Sequence, residues 1–387
     1  MRSATLPATA LGPCSRRHAL GLLSSIALCG FARGATPEAL RLGQTGMLSG
    51  PIGDLGLAMA QGASACFVAV NGQGGVGGRP IELTTLDDGY DAARALANVE
   101  RLMADRSLLA LFGCMGTPTV EAMMPKVLAS GIPFFAPYTG ALSARPKGAR
   151  NVFNVRPSYP DEAERLIEHV ATIGLKRIAV AYQNNAFGKE IWEGARAALE
   201  RRGLASVATA TVETDASDAA EAAARIVSVQ PEAVLAGVAG KPTVALVKAL
   251  RSQRRGLPIY ALSVFGAGST IDALGDDAVG ITVSQVVPYP MGSTVPIVRD
   301  FRRDWLAAGH APEFNHTALE GYINARIFVD VLRRIGGEIT RSALIDAAWS
   351  MKHHDAGGFR VGFSEPGRSA SRYIDMSMVQ KGGKFLR

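Results

Sequence analysis

The residues best suited to covalent or metal chemistry are few and poorly spaced. The chain has 6 histidines. His353 and His354 are adjacent, so their rings would not share a helix face. His169, His310 and His316 lack a cysteine or carboxylate at metal-ligand spacing. There is no CxxC pair and no G-x-S-x-G elbow, and kinase signatures are absent. These patterns imply neither enzyme, cofactor nor metal; hydrolysis by a Ser-His-Asp set assembled across the fold is kept as a remote alternative. One pair does suit a ligand. Thr117 followed by Pro118 reads as an N-cap and first helical residue. The unpaired N–H groups and partial positive charge of such a helix end attract an anion.

The surrounding elements alternate. Leu40-Leu48 reads as a strand, and Gly53 to Asn71 as a helix whose small face, Ala58, Gly62, Ala65, Cys66 and Ala69, suits packing on a sheet. Ile81-Asp87 and Leu108-Phe112 read as strands, Asp91-Asp105 as a helix. The helix opened by Thr117 runs to about Ala129, and Ile132-Ala136 is the next strand. Continuous apolar strands in this rhythm argue for a parallel sheet covered by helices. The rhythm restarts at Val152-Val155 and runs to Pro258-Ala261, with helices over Tyr159-Ile173, Asn185-Arg202, Ser217-Val229 and Pro242-Arg254. From Ile281 come a strand, three helices and a closing segment, Gly358 to Leu386, that reads as a hairpin. So long a chain exceeds what one core usually serves, and two α/β lobes are expected.

The N-terminus bears on location. Met1 to Gly34 holds Arg2, Arg16, Arg17 and Arg33 and no acid, around the apolar run Ala19 to Phe31. That run is too short for a transmembrane helix and fits a signal peptide ending at Gly34, used by the Sec or the twin-arginine route. The whole chain has 41 Lys+Arg against 34 Asp+Glu; without the four leader arginines it stands at 37 against 34. This near-neutral balance, with scattered basic residues, gives no support to nucleic-acid binding. Cys66 and Cys114 remain. An oxidising compartment permits their pairing, but sequence cannot place them within bonding range, and two buried thiols are the expectation.

The ordered set Gly46-Met47-Leu48-Ser49-Gly50-Pro51, Val70 to Arg79, Asp87-Asp88, Asp91, Gly131-Ile132-Pro133, Ala136-Pro137, Ala186-Phe187-Gly188-Lys189 and Glu320-Gly321-Tyr322 resembles the periplasmic leucine/isoleucine/valine-binding proteins. These are type I solute-binding proteins of ABC importers. The resemblance covers essentially the whole mature chain. It implies two lobes, each a mainly parallel sheet flanked by helices, joined by three crossovers. Lobe 1 would hold 35–156 and 286–357, and lobe 2 would hold 157–285 and 358–387. It also implies a periplasmic and monomeric protein that closes on a small molecule and presents it to an inner-membrane ABC permease. A periplasmic sensor for a signalling partner is the alternative.

The resemblance places ligand contacts at Thr117, on a carboxylate, and at Tyr138, Thr139 and Gly140. Tyr322 matches a family tyrosine, while Leu55 and Phe187 stand where the family has cleft tyrosines. Phe265 stands where the family has the glutamate that holds an ammonium. Tyr159 and Arg156 are further candidates. A buried ammonium without a counter-charge costs several kcal/mol, so the departures favour a carboxylate with an apolar or aromatic body over a standard amino acid.

Overall fold

The computed structural model describes residues 38–50, 52–265 and 268–386. The signal-peptide reading of residues 1–34, with Arg16 and Arg17, lies outside the described residues.

The first sheet has five parallel strands in the order β2-β1-β3-β4-β5. They are β1 (Leu40–Gly46), β2 (Ile81–Asp87), β3 (Leu108–Phe112), β4 (Phe134–Phe135) and β5 (Val152–Phe153). Helices α1 (Gly53–Gly72), α2 (Ala92–Met103) and α3 (Thr117–Ser130) connect them. Then α4 (Tyr159–Thr172) leads to β6 (Ile178–Gln183), α5 (Ala186–Glu200), β7 (Thr209–Val212), α6 (Ala219–Ser228), β8 (Ala233–Gly237), α7 (Lys241–Gln253), β9 (Ile259–Ala261), α8 (Gly268–Leu274) and β10 (Thr282–Gln285). The chain returns through α9 (Pro296–Ala307), α10 (His316–Leu332) and α11 (Arg341–Ser350). It ends with β11 (His354–Asp355), β12 (Arg360–Val361), β13 (Asp375–Val379) and β14 (Phe385–Leu386). The second sheet has seven strands in the order β14-β13-β10-β9-β8-β6-β7, with β13 and β14 antiparallel at one edge.

Strand alternation sorts side chains between layers. Phe134 and Val152 face the core under α2 and α3, whereas Phe135 and Phe153 face the core under α1 and α10. Ile178, Val180 and Leu235 pack beneath α4 and α5, and Ala179, Ala181 and Ala236 beneath α6 and α7. Helix α1 is apolar and long enough to cross a membrane, yet most of it is buried. Its small face meets α10 as well as the sheet. A Cβ on Gly62 would lie 1.8 Å from the Ala318 carbonyl oxygen, and one on Gly321 would lie 2.1 Å from that of Met59. The glycines let these two helices touch backbone to backbone.

The chain passes between the sheets three times. The first passage follows β5, the second follows β10, and the third precedes β13. The closing segment differs from the single hairpin read from sequence. Phe359, Val361 and Phe363 fill the first lobe's core. Beside them, the Ala370 and Ser371 N–H groups donate to the carbonyls of Asn154 and Val155 at 2.8 and 2.9 Å. The third passage therefore comes between Ser371 and Asp375 rather than at 357. Apolar residues in this segment alternate as a hairpin's would, but their burial partner is the first lobe, which the alternation does not specify. Of its strands, β13 and β14 form a hairpin with each other, while β12 pairs antiparallel with β11 before it. Cys66 and Cys114 are buried free thiols; burial pushes both up in pKa, Cys114 to about 12.

Candidate functional site

Between the two sheets lies a small cavity of about 20 Å³. Its first-lobe wall is Met47, Ile52, Leu55, Tyr90, Gly116, Thr117 and Tyr138, and its second-lobe wall is Tyr159, Phe187, Ala239 and Val264. One apolar cluster runs through both walls, from Met47 and Leu55 to Tyr159 and Phe187, so the lobes are closed on each other.

The first wall is built by the acid pair after β2. Asp87 accepts from the Leu48, Ser49 and Gly89 N–H groups at 2.9, 3.2 and 2.9 Å and from Ser49 Oγ at 2.7 Å. The Ser49 hydroxyl leads in lowering its pKa to about 2. Asp88 is buried and accepts from Thr45 Oγ1 at 2.9 Å and from the Tyr90 N–H at 2.8 Å. That second bond holds Tyr90 at φ 67, a left-handed conformation that an aromatic residue adopts only when its surroundings over-determine it. The Tyr90 ring then crosses Gly116, where a Cβ would lie 2.7 Å from the ring at φ 93.

Helix α3 brings its N-terminus to the cavity. Gly116 is its N-cap and Thr117 its first residue, so the helix starts one residue earlier than the sequence reading, and no side chain caps this end. By contrast α2, α4, α5, α10 and α11 are each capped by their own Asp91, Ser158, Asn185, Asn315 or Thr340. Thr117 Oγ1 lies 2.8 Å from Thr139 Oγ1, which accepts from the Ala141 N–H at 3.1 Å. Gly140 lies against the second lobe. A Cβ there would sit 2.4 Å from the Tyr159 ring, whose residue's N–H donates to the Gly140 carbonyl at 2.7 Å. Tyr159 and Phe187 meet edge to face, centroids 5.3 Å apart.

The structure thus gathers Leu55, Thr117, Tyr138, Tyr159 and Phe187 at the cavity, with Thr139 and Gly140 directly behind. Two expected residues are elsewhere. Phe265 is 1 % exposed in the core beneath α6 and α7. A turn closed by its N–H to the Leu262 carbonyl at 2.8 Å sends Val264 to the cavity and Phe265 to the opposite layer. Tyr322 packs in the first lobe's core, where its hydroxyl donates to Asp304 Oδ2 at 2.6 Å. Met47, Ile52, Tyr90, Ala239 and Val264 line the cavity without having been expected. Tyr90 carried a signal, an aromatic residue in Asp87-Asp88-Gly89-Tyr90-Asp91, but its left-handed backbone is not legible there.

Behind Tyr138 and Tyr159 is a buried charge cluster. Arg156 Nη2 donates to Glu162 Oε1 at 3.2 Å and also to Ser263 Oγ. Glu162 Oε2 accepts from the Ser263 N–H and Ser284 Oγ at 2.9 and 2.7 Å. Arg156 Nη1 is 3.6 Å from Glu320 Oε1, and neither atom has a hydrogen bond. An ion pair would hold Glu320 charged, yet burial wins and pushes its carboxyl up to about 7. The contact is too long for a hydrogen bond, and the nearby Glu162 charge adds to the rise. Arg145 braces the first passage. Its Nη2 donates to the Arg156 and Pro157 carbonyls, its Nη1 to those of Thr139 and Ala141. Burial foremost, then Arg156, lowers its pKa to about 10.

A larger depression, about 320 Å³, opens on the second lobe between Arg251, Arg255, Asp276, Asp277, Val279 and Lys381. Arg251 spends its donors there on the Asp277, Arg255, Leu257 and Val279 carbonyls. It is a charged surface dip with little apolar wall, and the smaller interlobe cavity is the better ligand site.

Residues 39–384 match the family described as periplasmic binding protein. The chain belongs to that family. It is 22% identical over 385 residues to Leu/Ile/Val-binding protein homolog 7 of Brucella suis biovar 1 (strain 1330), covering 94% of this chain and 95% of the relative. Its fold matches a possible leucine/isoleucine/valine-binding protein from Rhodopirellula baltica SH 1 with TM-score 0.85 and 28% identity, over 91% of this chain and 97% of the other. It also matches an ABC-transporter solute-binding protein from R. palustris, solved in complex with benzoate, with TM-score 0.78 and 22% identity over 90% and 95% of the two chains. This is therefore a periplasmic binding protein of the Leu/Ile/Val-binding type, with the two-lobed type I fold.

Proposed function

We propose that the protein is the exported solute-binding component of an ABC importer, closing on a small acid whose other end is apolar or aromatic and delivering it to a permease. The observation that carries this is the pairing of one uncapped helix end with apolar walls. The first turn of α3, with Thr117, offers an anion site. Leu55, Tyr90, Tyr138, Tyr159, Phe187 and Val264 surround the remaining space, and no carboxylate lines it among the described residues. An ammonium group would have no counter-charge there. At about 20 Å³ the free space between the closed lobes is far below the roughly 300–1,000 Å³ usual for ligand pockets, so even a single-ring acid would enter only as the lobes part. The R. palustris neighbour, in complex with benzoate, shows that a protein of this fold accommodates such an acid. Ligand contacts with both walls would favour the closed form.

A thermal-shift screen of benzoate, leucine and short aliphatic acids tests the reading. At about 100 times Kd a ligand adds roughly 2.7 kcal/mol to stability. For a protein of this size that is about 4 °C in Tm. Stabilisation by benzoate and not by leucine is expected. Stabilisation by leucine alone would overturn the aromatic-acid reading.

A further inference from the structure

Arg156 lies in the first passage between the lobes and is 3 % exposed. Its hydrogen bonds all leave from Nη2, to Glu162 and Ser263, while Nε and Nη1 make none. The guanidinium also lies over two aromatic rings. The guanidinium carbon lies 5.0 Å from the Tyr138 ring centroid and 5.7 Å from that of Tyr159. One of these rings comes from each lobe, and both line the cavity. Arg156 itself does not line it.

We propose that Arg156 is a positioning residue for ligand recognition: its guanidinium, carried on the hinge and held edge-on by Glu162 and Ser263, orients one cavity tyrosine from each lobe. A cation within about 6 Å of a ring centroid is attracted to the ring's negative face. A planar guanidinium can meet two rings while still pairing at its edge, and a lysine ammonium, a compact point charge, cannot reproduce that. Glu320 limits the position from the first lobe, with Nη1 3.6 Å from its carboxylate. Glu162 accounts for Nη2 and the approach of Glu320 for Nη1; neither accounts for the two rings over which the guanidinium lies.

The ligand-binding consequence rests on the proposed function, so the test has one arm that needs no ligand. In protein labelled with 3-fluorotyrosine, the fluorine resonances of Tyr138 and Tyr159 are assigned with Tyr138→Phe and Tyr159→Phe. Arg156→Lys should move both resonances and leave most of the remaining tyrosines unchanged. Unmoved resonances overturn the proposal. In the second arm, calorimetry with benzoate should show Arg156→Lys weakening binding roughly three- to thirty-fold, with the loss largely abolished in a Tyr159→Leu background. A loss undiminished in that background would make Arg156 a direct contact, and unchanged affinity with a lowered Tm would make it structural only; both outcomes refute positioning. If benzoate does not bind the wild-type protein, the ligand reading fails and the fluorine arm alone decides Arg156. If the lysine variant does not fold, Tyr159→Leu replaces it: the Tyr138 resonance must then move as the guanidinium loses its second ring, and a fixed resonance overturns the proposal.

Discussion

Replacing Glu320 with glutamine should change how stability depends on pH, with a sign that the structure dictates. Glu320 is buried, is too far from Arg156 for a hydrogen bond, and titrates near 7 instead of 4.5. Its pKa is raised on folding. Its contribution to stability is therefore whole below about 4.5 and is lost as pH rises through about 7, where folding must hold a poorly solvated charge. Moving a carboxyl from 4.5 to about 7 corresponds to about 3 kcal/mol. For a folded unit of roughly 350 residues the unfolding entropy is about 0.7 kcal/mol per degree, so the change is about 4 °C in Tm. Glutamine keeps the shape and an acceptor but cannot ionise. Scanning calorimetry of both proteins from pH 4 to pH 8 gives a difference in Tm, wild type minus variant, in which titrations common to both cancel. That difference should fall by about 4 °C, most of it by pH 7.5. Parallel curves would refute the reasoning, and a difference that rises with pH would mean that Arg156 holds Glu320 charged.

Thr117→Val removes the hydroxyl at the start of α3 and its bond to Thr139, and should weaken benzoate binding by roughly five- to tenfold with the fold intact; equal affinities in titration calorimetry would remove Thr117 from the anion site. Phe265→Glu places a charge in the core beneath α6 and α7, so it should cost several kcal/mol of stability and no selectivity. A folded variant that gains affinity for leucine would return Phe265 to the cavity.

The layers were legible because they follow from local pattern. The apolar run Leu108–Phe112 forms a strand at the residues read from sequence, since burial on both faces leaves no polar position to blur it. Thr117 with Pro118 signalled a helix start for the same local reason. The closing segment was harder. Phe359, Val361 and Phe363 alternate like strand residues, and only the neighbouring surface decides that they fill the first lobe. Phe265 shows the limit more sharply. One residue along an irregular turn reverses a side chain's direction, so matching order in sequence could not tell Val264 from Phe265.

What the sequence determined by itself is the succession of strands and helices, the leader-like start, and the set of residue types available to the cleft, because these depend on short-range periodicity and composition. Tertiary structure alone decided which of those residues share a cavity. The placement of Tyr322 beside Asp304 and the meeting of Arg156 with Glu162, Glu320 and two tyrosines join positions 3 to 164 residues apart, and the left-handed Tyr90 belongs with them. Such encounters depend on how two sheets and their crossovers pack, and no local pattern encodes that.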